Sequence, residues 1–230
     1  MKIGIFTDSH YSSAEVTCGR RYNNKSLEKI KQTYRRFEEE KVDLVVCLGD
    51  LTDTEETHEM EEANLRQIAA VMSSSSLKTV CLMGNHDAFT FVPQEFYRIL
   101  GMDAPSTIET GGKKLLFLDA CYFKSGVHYM PGDSDWTDTF YPHVKELEAE
   151  LNSKQEIYIF IHQNLDTNIH ESHLLHNAEQ INEMLARSGN VKAVYQGHYH
   201  PGDRNMLGRI EYVAFPAMCE NEDAVFILEI

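Results

Sequence analysis

Leu44-Val45-Val46-Cys47-Leu48-Gly49-Asp50-Leu51-Thr52-Asp53 runs from five apolar residues straight into a glycine and a carboxylate. A short, unbroken apolar run of this kind reads as a strand covered on both faces of its sheet. The glycine lets the backbone bend close to an ion, and the two oxygens of Asp50 can serve two cations at once. Asp53 either orients a ligand from behind or caps a helix ahead of residues 54–57.

The same pattern recurs along the chain. Residues 2–7 lead into Asp8-Ser9-His10, and residues 78–83 into Gly84-Asn85-His86-Asp87. Residues 156–161 lead into His162, and residues 192–196 into Gly197-His198-Tyr199-His200. Every polar motif therefore stands at the carboxyl end of an expected strand, where open α/β sheets place their ligands. Further strands are expected at 114–119, 209–215 and 224–229, and helices at 24–39, 57–72, 94–100, 143–152 and 178–187. Leu27, Ile30, Tyr34 and Phe37 recur at the three- and four-residue spacing of one buried helical face. This alternation predicts an α/β fold with largely parallel pairing in its first half. Gly111-Gly112 suits a hairpin between 107–110 and 114–119, and the last two strands follow each other without a helix, so the second half should be mixed.

With 230 residues, 42% of them hydrophobic, the chain can bury one sizeable core. No linker, repeat or low-complexity tract divides it, and one domain spanning 1–230 is expected. No stretch approaches the roughly 20 apolar residues that span a bilayer, and no signal peptide is visible, so no membrane partner is expected. The five cysteines have no C-x-x-C spacing, which fits a reducing, cytoplasmic setting. A net charge of −15 argues against nucleic acid as a partner, since that binding needs basic surface.

The motifs bring together metal-ligand chemistry. Two apart on an extended chain, Asp8 and His10 leave on the same side, and His198 and His200 repeat that arrangement. Asn85 offers a neutral oxygen, and Asp87 is placed to hold the neighbouring His86 ring and favour its protonated form. Elsewhere the plainer readings are favoured. The spacing of His170, His173 and His176 invites a metal reading, but surface residues opening a helix explain it more simply; Arg20, Arg21 and Lys25 form a small basic patch that could touch substrate but read more simply as a solvated helix start, and Glu55–Glu62 as an exposed helix face. The aromatic-rich stretch 121–141 is long for a loop and reads equally as a lid or as packed surface.

Taken in order from Asp8 to His200, these residue types resemble the calcineurin-like metallophosphoesterase superfamily. The resemblance implies a four-layer α/β-β/α sandwich, two mixed sheets flanked by helices. It implies two divalent metal ions, one held by Asp8, His10, Asp50 and His200, the other by Asp50, Asn85, His162 and His198. That nitrogen and oxygen set suits manganese, iron or zinc. It differs from the purple acid phosphatases, which carry a tyrosine where this chain has Asp53. In place of the histidine or proline that follows the His162 ligand in many relatives, this chain has Gln163-Asn164. The implied reaction is hydrolysis of a small soluble phosphate ester by a hydroxide bridging the ions, with Asn85 beside the phosphate and His86 as general acid. Compact length is similar to class III cyclic-nucleotide phosphodiesterases, so phosphodiesters are the expected substrates. Phosphomonoesters and nucleotide pyrophosphates fit the same motifs. A catalytically silent interaction module, as in the retromer subunit that keeps this fold, is the alternative from another class. Retention of every ligand and of His86 argues against it.

Overall fold

The computed structural model describes residues 1–230. The first apolar run forms β1 (Lys2–Phe6), parallel to β2 (Leu44–Cys47), which is parallel in turn to β3 (Thr79–Cys81). The crossovers between them are α1 (Ser26–Glu39) and α2 (His58–Ser73), as parallel neighbours require. Two short helices, α3 (Asn85–Thr90) and α4 (Pro93–Leu100), follow β3. The hairpin expected at Gly111-Gly112 is present as β4 (Thr107–Thr110) against β5 (Lys113–Leu118).

From β5 the second sheet grows through α5 (Val144–Leu151), β6 (Glu156–Ile161), α6 (Ala178–Ser188) and β7 (Val191–Gln196). It is completed by β8 (Asp203–Leu207) and β9 (Ile210–Ala214), in the order β4-β5-β6-β7-β9-β8. Its inner strands pair in parallel, and β4 and β8 close its edges antiparallel. The last strand, β10 (Phe226–Glu229), leaves this sheet and lies antiparallel to β1, giving the order β10-β1-β2-β3.

Alternation along the strands makes the layers. Leu44, Val46 and Leu48 face the other sheet together with Ile3, Ile5, Phe117 and Phe160, while Val45 and Cys47 face the first helical layer. There Ile30, Tyr34 and Phe37 of α1 meet Leu65 and Ile68 of α2. On the opposite side, Ile157, Ile159 and Ile161 of β6 pack on Leu147 of α5 and on Ile181 and Leu185 of α6. Each such side chain, taken fully out of water, contributes about 1.5–3 kcal/mol before conformational entropy is subtracted. The result is the expected four-layer sandwich of two mixed sheets. No helix is long and apolar enough to cross a membrane.

The strands expected at 209–215 and 224–229 belong to different sheets: β9 pairs with β7 and β8, and β10 with β1. β8 was not expected because Asp203-Arg204-Asn205-Met206-Leu207 is a half-exposed edge strand without an apolar run.

Candidate metal centre

The carboxyl ends of β1, β2, β6 and β7 converge, and the backbone turns sharply where they do. Asp8, His10, Asp50 and His198 all take positive φ, at 52°, 43°, 53° and 62°. Such conformations cost of order 1–3 kcal/mol each for residues with a Cβ, and persist only where surrounding bonds impose them. Here Asp8 N–H donates to Gly49 O and His10 N–H to Asp50 O, both at 3.0 Å, and Gly197 N–H donates to His162 O at 3.0 Å. The expectation that Asp8 and His10 converge because the chain is extended is therefore corrected; tight left-handed turns bring them together. The motif glycines are explained by closeness. A Cβ on Gly84 would lie 2.2 Å from Asp50 Oδ1, and one on Gly197 2.3 Å from Thr7 Oγ1.

One oxygen of each aspartate is committed to the protein. Asp8 Oδ2 accepts from the His198 N–H at 3.0 Å, and Asp50 Oδ1 from the His86 N–H at 2.9 Å. The other oxygens, Asp8 Oδ1 and Asp50 Oδ2, are buried without a hydrogen-bond partner. Around them gather the ring nitrogens. His200 Nε2 lies 3.3 Å from Asp8 Oδ1, and His10 Nε2 lies 3.4 Å from Asp50 Oδ2 and 3.2 Å from His200 Nε2. On the other side of Asp50 Oδ2, His162 Nε2 stands at 3.2 Å, and at 3.1 Å from Asn85 Oδ1. His198, its ring 5.2 Å from that of His162, contributes a further ligand atom within 4.8 Å of those of Asp50 and His162; its Nε2 is buried and unpartnered.

These nitrogens and oxygens stand at the separations that ligands about 2.0–2.2 Å from a shared cation adopt. The donor set fits two cations: Asp8, His10 and His200 on one side, Asn85, His162 and His198 on the other, with Asp50 Oδ2 between them. Cys219 also approaches His10 and His200, and burial pushes its thiol far up.

The surroundings fix which nitrogen points inward. His162 Nδ1 is held by Leu48 O at 3.0 Å, and His200 Nδ1 by the Glu220 carboxylate. Burial raises the Asp8 carboxyl, but the His10 and His200 rings beside it outweigh burial and hold Asp8 well below the usual range. Burial opposes protonation of His162, yet the Asp50 charge beside it raises the ring to about 9. His198, buried and next to His162, is held well below the ordinary histidine value.

His86 stands beside this cluster, its ring 4.6 Å from that of His10. The expectation that Asp87 holds it is not met. Asn85-His86-Asp87 opens α3, so the Asp87 carboxylate turns back to accept from Gly84 N–H at 3.0 Å and from Leu51 N–H at 2.9 Å. Asp53 takes the part instead, its Oδ1 3.1 Å from His86 Nδ1. Nor is Asp53 a helix cap, since Thr57 caps α2 by accepting from Met60 N–H. Opposed by burial but favoured by Asp50 and Asp53, His86 ends above its ordinary value.

Glu220 was not singled out from the sequence, and His173 and Arg21 were read there as surface groups. Glu220 lies twenty residues beyond His200, and no local signal marks it. The His173 ring, read as surface, packs 5.3 Å from the His198 ring and 5.2 Å from Tyr199, on a single 3-10 turn well before α6 begins. Arg21 is only 17% exposed and faces Asp53, whereas Arg20 is 64% exposed and pairs with Glu220. Asn164 does not face the cluster as a substrate contact; its Nδ2 donates to Gly197 O at 3.0 Å and props the His198 turn. In the stretch 121–141, Trp136 lies 5.8 Å from His86 and Phe140 5.2 Å from His198, so its aromatics border the cluster.

Among curated proteins no sequence matches the chain. Solved structures share its fold. A dimetal phosphatase from Danio rerio superposes with a TM-score of 0.80 at 16% identity, covering 95% of this chain and 88% of the other. A phosphopantetheinyl hydrolase from Mycobacterium tuberculosis gives 0.58 at 11% identity over 99% and 95% of the two chains. An archaeal phosphodiesterase gives 0.53 at 15% identity over 100% and 93%. The sequence pattern of the calcineurin-like phosphoesterases matches residues 1–202, a span that takes in both sides of the cluster around Asp50. By that match the chain belongs to the calcineurin-like phosphoesterase family and is a metal-dependent hydrolase of phosphoric esters.

Proposed function

We propose that the protein hydrolyses small phosphodiesters, using manganese, iron or zinc held by Asp8, His10, Asp50 and His200 on one side and by Asp50, Asn85, His162 and His198 on the other. The observation that carries this reading is the pair of buried, donorless oxygens on Asp8 and Asp50, each ringed by imidazole nitrogens. Two bound cations would polarise the phosphoryl oxygens and acidify a shared water. The chain's own residues do the remainder. The Asn85 side chain, whose Nδ2 is buried without a partner, donates to a non-bridging oxygen of the ester. His86, kept protonated by Asp53, delivers its proton to the departing alkoxide. Trp136 and Phe140 line the approach and exclude water from one side.

A small ester is favoured because the −15 net charge repels long polyanions while local cations attract a single phosphate. The neighbour described as an archaeal phosphodiesterase agrees with a diester; the one described as a dimetal phosphatase agrees equally with a monoester. A manganese-loaded preparation should hydrolyse bis-p-nitrophenyl phosphate faster than p-nitrophenyl phosphate, and a chelator should abolish both. Faster monoester cleavage would reverse the preference. Inertness toward every ester with both metals bound would instead favour an interaction module.

A further inference from the structure

The loop between the first motif and α1 carries a cation that the metal ligands do not use. Arg21 is fixed by reciprocal backbone bonds with Thr17, each at 3.0 Å, and Tyr22 N–H donates to Cys219 O at 2.9 Å. Asn23, fully buried, ties the loop to the centre: its Nδ2 donates to His10 O at 2.7 Å and to Asp53 Oδ2 at 2.9 Å. The loop is thus built against the cluster. The guanidinium it positions is poorly satisfied. Arg21 Nε is buried without a partner, and Nη1 stands 3.7 Å from Asp53 Oδ2, beyond hydrogen-bond distance.

A largely buried guanidinium with uncommitted N–H groups is unfavourable unless an anion completes it. The planar fork of arginine suits two oxygens of one phosphate group, which a lysine cannot grip in the same way. Asp53 meanwhile contacts both the Arg21 guanidinium and the His86 ring, so the two are held on the same side of the cluster.

We propose that Arg21 is a phosphate-binding residue of this site, gripping non-bridging oxygens of the ester while Asp53 holds it in register with His86. This rests on the phosphoesterase reading above, and its chemistry is binding, with no bond made or broken at Arg21.

The test compares manganese-loaded wild type and Arg21→Ala by calorimetric titration with inorganic phosphate, by metal analysis, and by rates on bis-p-nitrophenyl phosphate with and without added guanidinium. Phosphate affinity should fall on the order of tenfold to a hundredfold while manganese content stays constant, as expected for loss of a charge-assisted pair of hydrogen bonds. KM should rise, free guanidinium should restore part of the rate, and Arg21→Lys should recover only part of the affinity. Unchanged phosphate affinity would overturn the proposal. So would a parallel loss of manganese, which would make Arg21 a support for the metal shell. Should Arg21→Ala not fold, Arg21→Gln reads the same titration. Wild type that binds phosphate through Arg21 but cleaves no ester would sink the phosphoesterase reading and leave this inference standing.

Discussion

Asp53 Oδ1 sits 3.1 Å from His86 Nδ1, while the Asp87 carboxylate next in sequence to His86 is spent on the backbone of Gly84, Leu51 and Thr52. The proposed acid therefore depends on a residue from the β2 loop and not on its own motif. Asp53→Asn should keep both metals and the fold but remove the charge that favours protonated His86. Turnover of esters with poor leaving groups should drop by about 10²–10⁴, the usual worth of a general acid. Activated aryl esters should be less affected. Equal losses on both substrate types would show that Asp53 does something else.

Glu220 fixes the ring of His200, so Glu220→Gln should weaken one cation more than the other. A loss of about 10–100-fold in affinity for that ion is expected, as for other partners of ligating histidines. Stoichiometric metal titration should show two classes of site where the wild type shows a smaller difference. Asp50→Asn, which alters the oxygen shared between both sides, should instead lower occupancy of both.

Glu61, read from the sequence as part of an exposed helix face, is instead buried, and it gives a pH signature away from the ligands. Burial raises its carboxyl to about 7, although the Thr90 and Thr52 hydroxyls donate to it at 2.8 Å. Because the folded value lies above the unfolded one, its contribution is fully present below about 4.5 and is lost as pH rises through 7. The loss is roughly 3 kcal/mol at its upper bound. Glu61→Gln, which keeps an acceptor for one hydroxyl, should flatten this slope between pH 5 and 8. Denaturant midpoints across that range would reveal it; identical slopes would mean that Glu61 stays ionised throughout.

Gly84 tolerates no side chain. Gly84→Ala would place a methyl carbon 2.2 Å from Asp50 Oδ1, with the Asp50 backbone nitrogen at 2.4 Å behind it. The strand ends would have to part, so metal content should fall even where far-ultraviolet circular dichroism is retained. Full occupancy in this variant would show that the turn around Asp50 can yield.

The ligands were legible because each follows an apolar run, and a buried strand announces both its length and its end. The gathering of these side chains was thus foreseen, although its cause was not: Asp8 and His10 converge through left-handed turns, which no residue in Asp-Ser-His advertises. What the sequence hid was tertiary. Asp53 and Asp87 are both close to the motifs, and only α3 decides between them, because its N-terminus turns the Asp87 carboxylate back on itself. Glu220 and Arg21 reach the centre through loops whose paths depend on contacts with distant strands. β10 joins the first sheet for a similar reason, since nothing local distinguishes an edge of one sheet from an edge of the other.

Asp8, Asp50 and Asn85 come from the sheet containing β1 to β3, whereas His162, His198 and His200 come from the sheet containing β6 and β7. Each cation position therefore takes donors from both layers. The ions would act as rivets through a sandwich otherwise joined by dispersion and apolar burial, so loading them should raise the temperature at which the layers separate. On the proposed reading, the parts that cut the ester and the parts that keep the two layers from shearing would be the same atoms.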